Sequence, residues 1–192
     1  MRRRNTLFAC LTLIALFMAG WTHAQQQPAA SSIPAANLGL NQPIPVESSI
    51  TVGTLPNGLR YYIRPNKQPL NRAELRLVVK AGSVLEEDDQ QGLAHFLEHM
   101  AFNGTKNFPG EDVVKFLQST GMRFGADVNA STGFDETTYM LTVPTDKADI
   151  LDKSFLVLED WAHNISLEPA EVEKERGVIM EEWRLRRGAG AR

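Results

Sequence analysis

The sequence predicts an α+β domain, with a mixed, largely antiparallel sheet and helices packed on one side. Three observations predict it. Strand-like runs come in groups joined by tight turn signals, the clearest being Pro56-Asn57-Gly58 between two β-prone stretches. Helical periodicity appears in separate, longer segments that do not alternate regularly with the strands. No internal repeat is present, so strands and helices segregate into layers around one core.

The chain opens with a basic stretch, Arg2-Arg3-Arg4, followed by an apolar run from Leu7 to Gly20 and the small-residue end Thr22-His23-Ala24. Residues 1–24 therefore read as a secretory signal peptide. The apolar run is shorter than the roughly 20 residues that span a bilayer, so a permanent anchor is not expected. Residues 25–47 are rich in Gln, Pro, Ala and Ser and suit a flexible linker. The folded domain is expected over 48–192.

Within it, Ile50 to Leu55 and Leu59 to Arg64 form the first two strands. Glu74 to Lys80 alternates as a third, with Leu75, Leu77 and Val79 on one face. The acidic loop Glu86 to Asp89 reads as solvated, with charge mildly favourable near a helix start, and leads into a helix from about Gln91 to Phe102. A second helix spans about Gly110 to Thr120, with Val113, Val114, Phe116 and Leu117 for the core. Strands follow at about Ala126 to Ser131 and Thr137 to Val143. A long helix from about Thr145 to Asn164 turns Ile150, Leu151, Phe155, Leu158 and Trp161 inward. Glu168-Pro169 starts the last helix, proline taking a favoured early position.

The most informative residues lie in the first helix, where His95-Phe96-Leu97-Glu98-His99 sets two imidazoles and a carboxylate within five positions. Residues four apart on a helix stand about 40° from one another around its axis, so His95 and His99 can converge on one metal ion. Glu98 projects from nearly the same face, close enough to hold a water without being a ligand. The order is the inverse of the commoner zinc-binding run His-Glu-x-x-His.

A catalytic zinc takes three protein ligands and leaves a fourth position open. Of the four histidines, His23 falls in the signal segment, which leaves His163 and the acidic residues. His163, near the end of the long helix, reads as a capping or surface residue. The last helical stretch offers Glu175 and Glu182, two turns apart on one face, although a solvated helix side crowded with charge explains either glutamate as well.

The stretch His95-Phe-Leu-Glu-His99-Met-Ala-Phe-Asn-Gly-Thr, with Glu175-Arg-Gly-Val-Ile-Met-Glu-Glu182-Trp downstream, resembles the pitrilysin/insulinase family of zinc peptidases, the inverzincins. The resemblance implies zinc ligands at His95, His99 and Glu182, a general base at Glu98 and a supporting carboxylate at Glu175. The family's seven-residue step between its two glutamates selects Glu182 over its neighbour Glu181. Phe124-Gly-Ala-Asp-Val-Asn-Ala-Ser-Thr132 and Asp135-Glu-Thr-Thr-Tyr139 are similar to the family's segment in which an edge strand pairs with substrate backbone. That likeness assigns substrate contact to Asn129. It covers residues 48–187, which in the family form the first part of a longer chain whose later homologous domains close over the active one.

The expected function is therefore a zinc-dependent metalloendopeptidase acting on peptides or unfolded polypeptides, periplasmic or secreted from a bacterium. The alternatives are a zinc-holding but inactive peptide-binding scaffold and a helix with no metal at all. Manganese or cobalt would suit the same donors. A net charge of −3 with scattered basic residues leaves no footprint for nucleic acid or a membrane surface. The single cysteine, Cys10, leaves with the signal, so no disulfide is expected in the mature chain. Asn103, Asn129 and Asn164 head glycosylation sequons, and a glycan on Asn129 would block the expected site, which favours a bacterial source.

Overall fold

The computed structural model describes residues 45–186. The expected signal peptide and most of the expected linker lie outside that range, as do 187–192. The chain divides into two compact units at Pro65. In the first, β1 (Thr51–Thr54) and β2 (Arg60–Ile63) form an antiparallel hairpin in which Thr54 faces Arg60. Its turn is closed by the Leu55 N–H on the Leu59 carbonyl, with Gly58 at φ 88° as the turn signal requires.

The second unit holds β3 (Arg72–Val79), a short 3-10 turn (Ser83–Leu85), α1 (Leu93–Met100), α2 (Asp112–Ser119), β4 (Val128–Thr132), β5 (Thr137–Pro144), α3 (Ala148–His163) and α4 (Pro169–Arg186). Its sheet has the order β3-β5-β4, with β4 at an edge. Every strand pairing among the described residues is antiparallel; the one parallel contact is an isolated bridge between Phe124 and Val128. Register places Leu77 against Tyr139 and Ala130 against Tyr139 from the other side, so β5 is the central strand.

Alternation along β5 buries Thr137, Tyr139, Leu141 and Val143. Leu75, Leu77 and Val79 of β3 share that core, as their period-two pattern predicts. Against it stand Met100 and Ala101 at the end of α1, Val113 and Leu117 of α2, and Val157 and Trp161 of α3. One expectation is corrected in α3. Phe155 is exposed, and the buried stripe runs through Ile150, Ser154, Val157 and Trp161. These positions follow a spacing of four, three and four, whereas Phe155 lies about 100° from Ser154 around the helix.

Two buried polar contacts tie α3 to the end of α1. Trp161 donates its indole N–H to the Ala101 carbonyl at 2.8 Å. Asp160, fully buried, accepts from Thr105 Oγ1 at 2.6 Å, from the backbone N–H and side-chain amide of Asn107 at 2.9 and 2.8 Å, and from the Asn164 amide at 3.1 Å. These donors satisfy a charge that would otherwise be costly to bury, and they fix the loop that follows α1.

Burial alone would raise the Asp160 pKa, but the Thr105, Asn107 and Asn164 donors outweigh it and hold the carboxyl below its usual range. A carboxyl depressed in the folded state stabilises the protein above its unfolded pKa, and that contribution is lost as pH falls through the folded value. Asp160→Asn is expected to lower unfolding free energy near neutral pH by about 1.5–3 kcal/mol. Urea titrations should show the gap between variant and wild type narrowing as pH drops below about 4.

Candidate metal centre

The segment before α1 sets the helix in place. Gly92 sits at φ 93°, a left-handed conformation that a side chain would strain. Just ahead of it, Glu86 accepts the Gly92 N–H through Oε2 and the Ala94 N–H through Oε1, both at 2.8 Å. An acidic loop expected to be merely solvated thus contains the residue that caps the motif helix, satisfying donors that the first turn leaves open. The helix starts at Leu93, slightly later than expected, because the Glu86 cap and Gly92 turn occupy the preceding residues.

On α1, His95 and His99 face the same way, with their Nε2 atoms 3.1 Å apart. Glu182 Oε2 lies 3.3 Å from each. These three side chains form a group that can hold a metal ion among the described residues. Donors about 2.0–2.1 Å from a tetrahedral zinc stand roughly 3.3 Å from one another, which is the spacing seen. Glu182 Oε2 is also buried without a hydrogen-bond partner, while Oε1 is held by Arg186 one turn on. A buried carboxylate oxygen left unpaired is costly unless a cation meets it, so the donor set fits a divalent metal.

The tautomer of His99 is fixed from behind. Its Nδ1 lies 2.7 Å from Glu175 Oε1, and because a carboxylate only accepts, Nδ1 carries a proton and Nε2 is the nitrogen left to face the cluster. Glu175 is itself buried, and its other oxygen accepts the Asn103 amide at 2.8 Å. Asn103 also reaches the His99 carbonyl at 3.3 Å. Both glutamates lie on the stripe of α4 that meets α1, alternating with Val172 and Ile179 at spacings of three and four. Glu181 is exposed and paired with Arg184. His163 is exposed at the end of α3, beside the Asn164 amide, and takes no part in the cluster.

Glu98 is half-buried on the same side of α1, and Thr132 at the end of β4 donates its hydroxyl to Glu98 Oε2. A cleft beside the cluster is lined by Glu98, His99, Phe102, Asn103, Phe124, Asn129, Ala130 and Glu175. Asn129 is exposed there, and its Oδ1 accepts the Ala130 N–H at 3.0 Å. Burial, and then the charge of Glu98, push the Tyr139 hydroxyl up to about 12, so it stays protonated near neutral pH and cannot act as a base.

The structure thus gathers His95, Glu98, His99, Glu175 and Glu182, and brings Asn129 to the rim. Asn103, Thr132 and Glu86 were not singled out by sequence. Asn103 lies in the turn just beyond α1, where its amide reaches back to the His99 carbonyl four residues earlier and to Glu175. Thr132 shares the face of Ala130 by strand alternation, but its partner lies 34 positions away.

Comparison with known proteins gives the family. The profile of the insulinase family (peptidase family M16) matches residues 61–185. The chain is 43% identical over 149 residues to a probable zinc protease, PqqL, of Haemophilus influenzae, covering 78% of this chain and 16% of that protein. It is 49% identical over 140 residues to a PQQL-like zinc protease of Arabidopsis thaliana, covering 73% of this chain and 15% of that protein. The crystal structure of the first half of the periplasmic protease PqqL from Escherichia coli superposes with a TM-score of 0.74 at 43% identity, covering 77% of this chain and 32% of that one. The chain therefore spans about a sixth of the length of these two curated relatives.

Removing the carboxylate behind His99 frees the ring to turn and to change tautomer. Glu175→Ala is expected to weaken zinc binding by about 10–100-fold in a competition titration. Glu173→Ala, an exposed position on the same helix, should leave it unchanged.

Proposed function

Because the chain belongs to the insulinase family, peptidase family M16, we propose that it carries the catalytic zinc site of an exported metalloendopeptidase that hydrolyses peptides or unfolded polypeptides. His95, His99 and Glu182 hold the metal, Glu98 is the general base, and Glu175 orients His99. The observation that carries this reading is the convergence of two imidazole nitrogens and an unpaired buried carboxylate oxygen on one point. A zinc ion bound there supplies Lewis acidity to water and to a carbonyl oxygen.

The chain's own groups do the rest. Glu98 accepts a proton from the attacking water and later delivers it to the departing amine, which a carboxylate at the cleft wall can do without moving far. β4 is an edge strand among the described residues and its Asn129 and Ala130 line the same cleft, so an extended peptide added there gains backbone hydrogen bonds that do not depend on its sequence. Asn129, now bonded to the Ala130 N–H on that edge, exchanges that bond for one to substrate. An intact base at Glu98 favours hydrolysis over a zinc-holding scaffold.

We assign residues 1–24 to a signal peptide and 25–47 to a linker, and the protein to the periplasm or exterior, in keeping with a structural relative described as a periplasmic protease. No helix among the described residues is long and apolar enough to cross a membrane. The clamp that closes over substrate belongs to further homologous domains of a longer chain, in keeping with relatives of which this stretch spans 16%.

In the complete protein, Glu98→Gln is expected to retain zinc while lowering kcat by about 10²–10⁴-fold, the range for loss of a general base. His95→Ala should lose the metal and hydrolysis together. Metal analysis alongside a peptide-cleavage assay checks both, and near-wild-type cleavage by Glu98→Gln would remove the base from this assignment.

A further inference from the structure

We propose that Thr132 is the positioning residue for Glu98: its hydroxyl anchors one carboxylate oxygen, Oε2, so that Oε1 is presented to the metal cluster and the scissile bond. The inference rests on the proposed function and extends it to the origin of the base's orientation. A glutamate has three rotatable side-chain bonds, and helical geometry fixes the direction of Glu98 only at its root. A base acts only within hydrogen-bond reach of the proton it takes, so something must hold the carboxylate at its far end.

Thr132 is built to do so. It is the last residue of β4, paired with Thr137 of the central strand, and half-buried. Its branched side chain restricts χ1, which limits where the hydroxyl can point. The backbone just beyond it is clamped to the segment leading into α1. Gly133 donates to the Glu136 carbonyl at 2.8 Å, and its own carbonyl accepts the Ser83 N–H at 3.1 Å. Val84 donates to the Phe134 carbonyl at 3.0 Å. Gly82 makes this closeness possible, since a Cβ there would stand 2.4 Å from the Gly133 oxygen and 2.6 Å from that of Phe134. The end of β4 and the start of the motif helix are thus bound through one short segment, and the Thr132–Glu98 hydrogen bond closes the loop between them.

The test compares Thr132→Val, which keeps the shape and removes the hydroxyl, with Thr132→Ser, which restores it, in the complete protein. For Thr132→Val we expect wild-type zinc content, a melting temperature lower by no more than about 5 °C, kcat lower by about 10–100-fold and KM within about twofold. Thr132→Ser should recover kcat to within about threefold of wild type. An unchanged kcat in Thr132→Val, or an equal loss in folded, zinc-loaded Thr132→Ser, would overturn the proposal.

A double-mutant cycle on urea unfolding of the zinc-free protein, pairing Thr132→Val with Glu98→Ala, reads the contact without any substrate. Coupling of at least about fivefold in the unfolding equilibrium constant upholds the anchor. If that coupling appears and the wild-type protein cleaves no peptide, it is the peptidase reading that falls. If the two changes add independently, the anchor itself is absent.

Discussion

Two imidazole nitrogens must face one point, 3.1 Å apart, and a bare helix does not make them do so. Spacing of four brings His95 and His99 to one side of α1, but each ring can still turn about two bonds and carry its proton on either nitrogen. For His99 the choice is removed by Glu175, which accepts a hydrogen bond from Nδ1–H at 2.7 Å and is held in turn by Asn103. Other contacts of the second unit hold α1 in place. Glu86 grips the start of α1, Trp161 bonds to the Ala101 carbonyl at its end, and Asp160 immobilises the loop beyond.

The electrostatics follow from the same constraint. Glu98, Glu175 and Glu182 gather around two imidazoles, an arrangement rich in carboxylates with one buried oxygen that no hydrogen-bond donor meets. The inward face of α4 carries Glu175 and Glu182 where an ordinary helix would place apolar residues, with Val172 before them and Ile179 between them. Such a helix gains little from hydrophobic burial against α1. Its docking is expected to depend on the cation its carboxylates hold, which links metal binding to the stability of the site.

Much of this was legible in the sequence because helical and strand periods are local. The strands, the four helices, the faces carrying Leu75, Leu77 and Val79, and the two-turn step from Glu175 to Glu182 follow from spacing alone. Spacing did not choose the third donor; that came from resemblance to a known family, and the fold then brought Glu182 to within 3.3 Å of both histidines. What spacing could not reach were contacts between distant segments. Thr132 meets Glu98 across 34 positions and Asp160 meets Asn107 across 53, and neither partner is marked locally. Glu86 was hidden for another reason: a carboxylate in an acidic loop looks solvated until the chain turns back through Gly92 and offers it two backbone donors. Phe155 was placed in the core by its apolarity, whereas the helix buries Ser154 and Val157.

Glu182 stands where it would complete a three-ligand metal centre begun by His95 and His99. The most direct measurement is zinc per chain, by elemental analysis of the purified, folded protein, comparing the native sequence with Glu182→Gln. About one zinc per native chain and a clear loss in the variant are expected, with the variant's fold retained by circular dichroism. Equal zinc in both proteins would contradict it, because the oxygen that stands unpaired beside both histidines would then have no part in holding the metal.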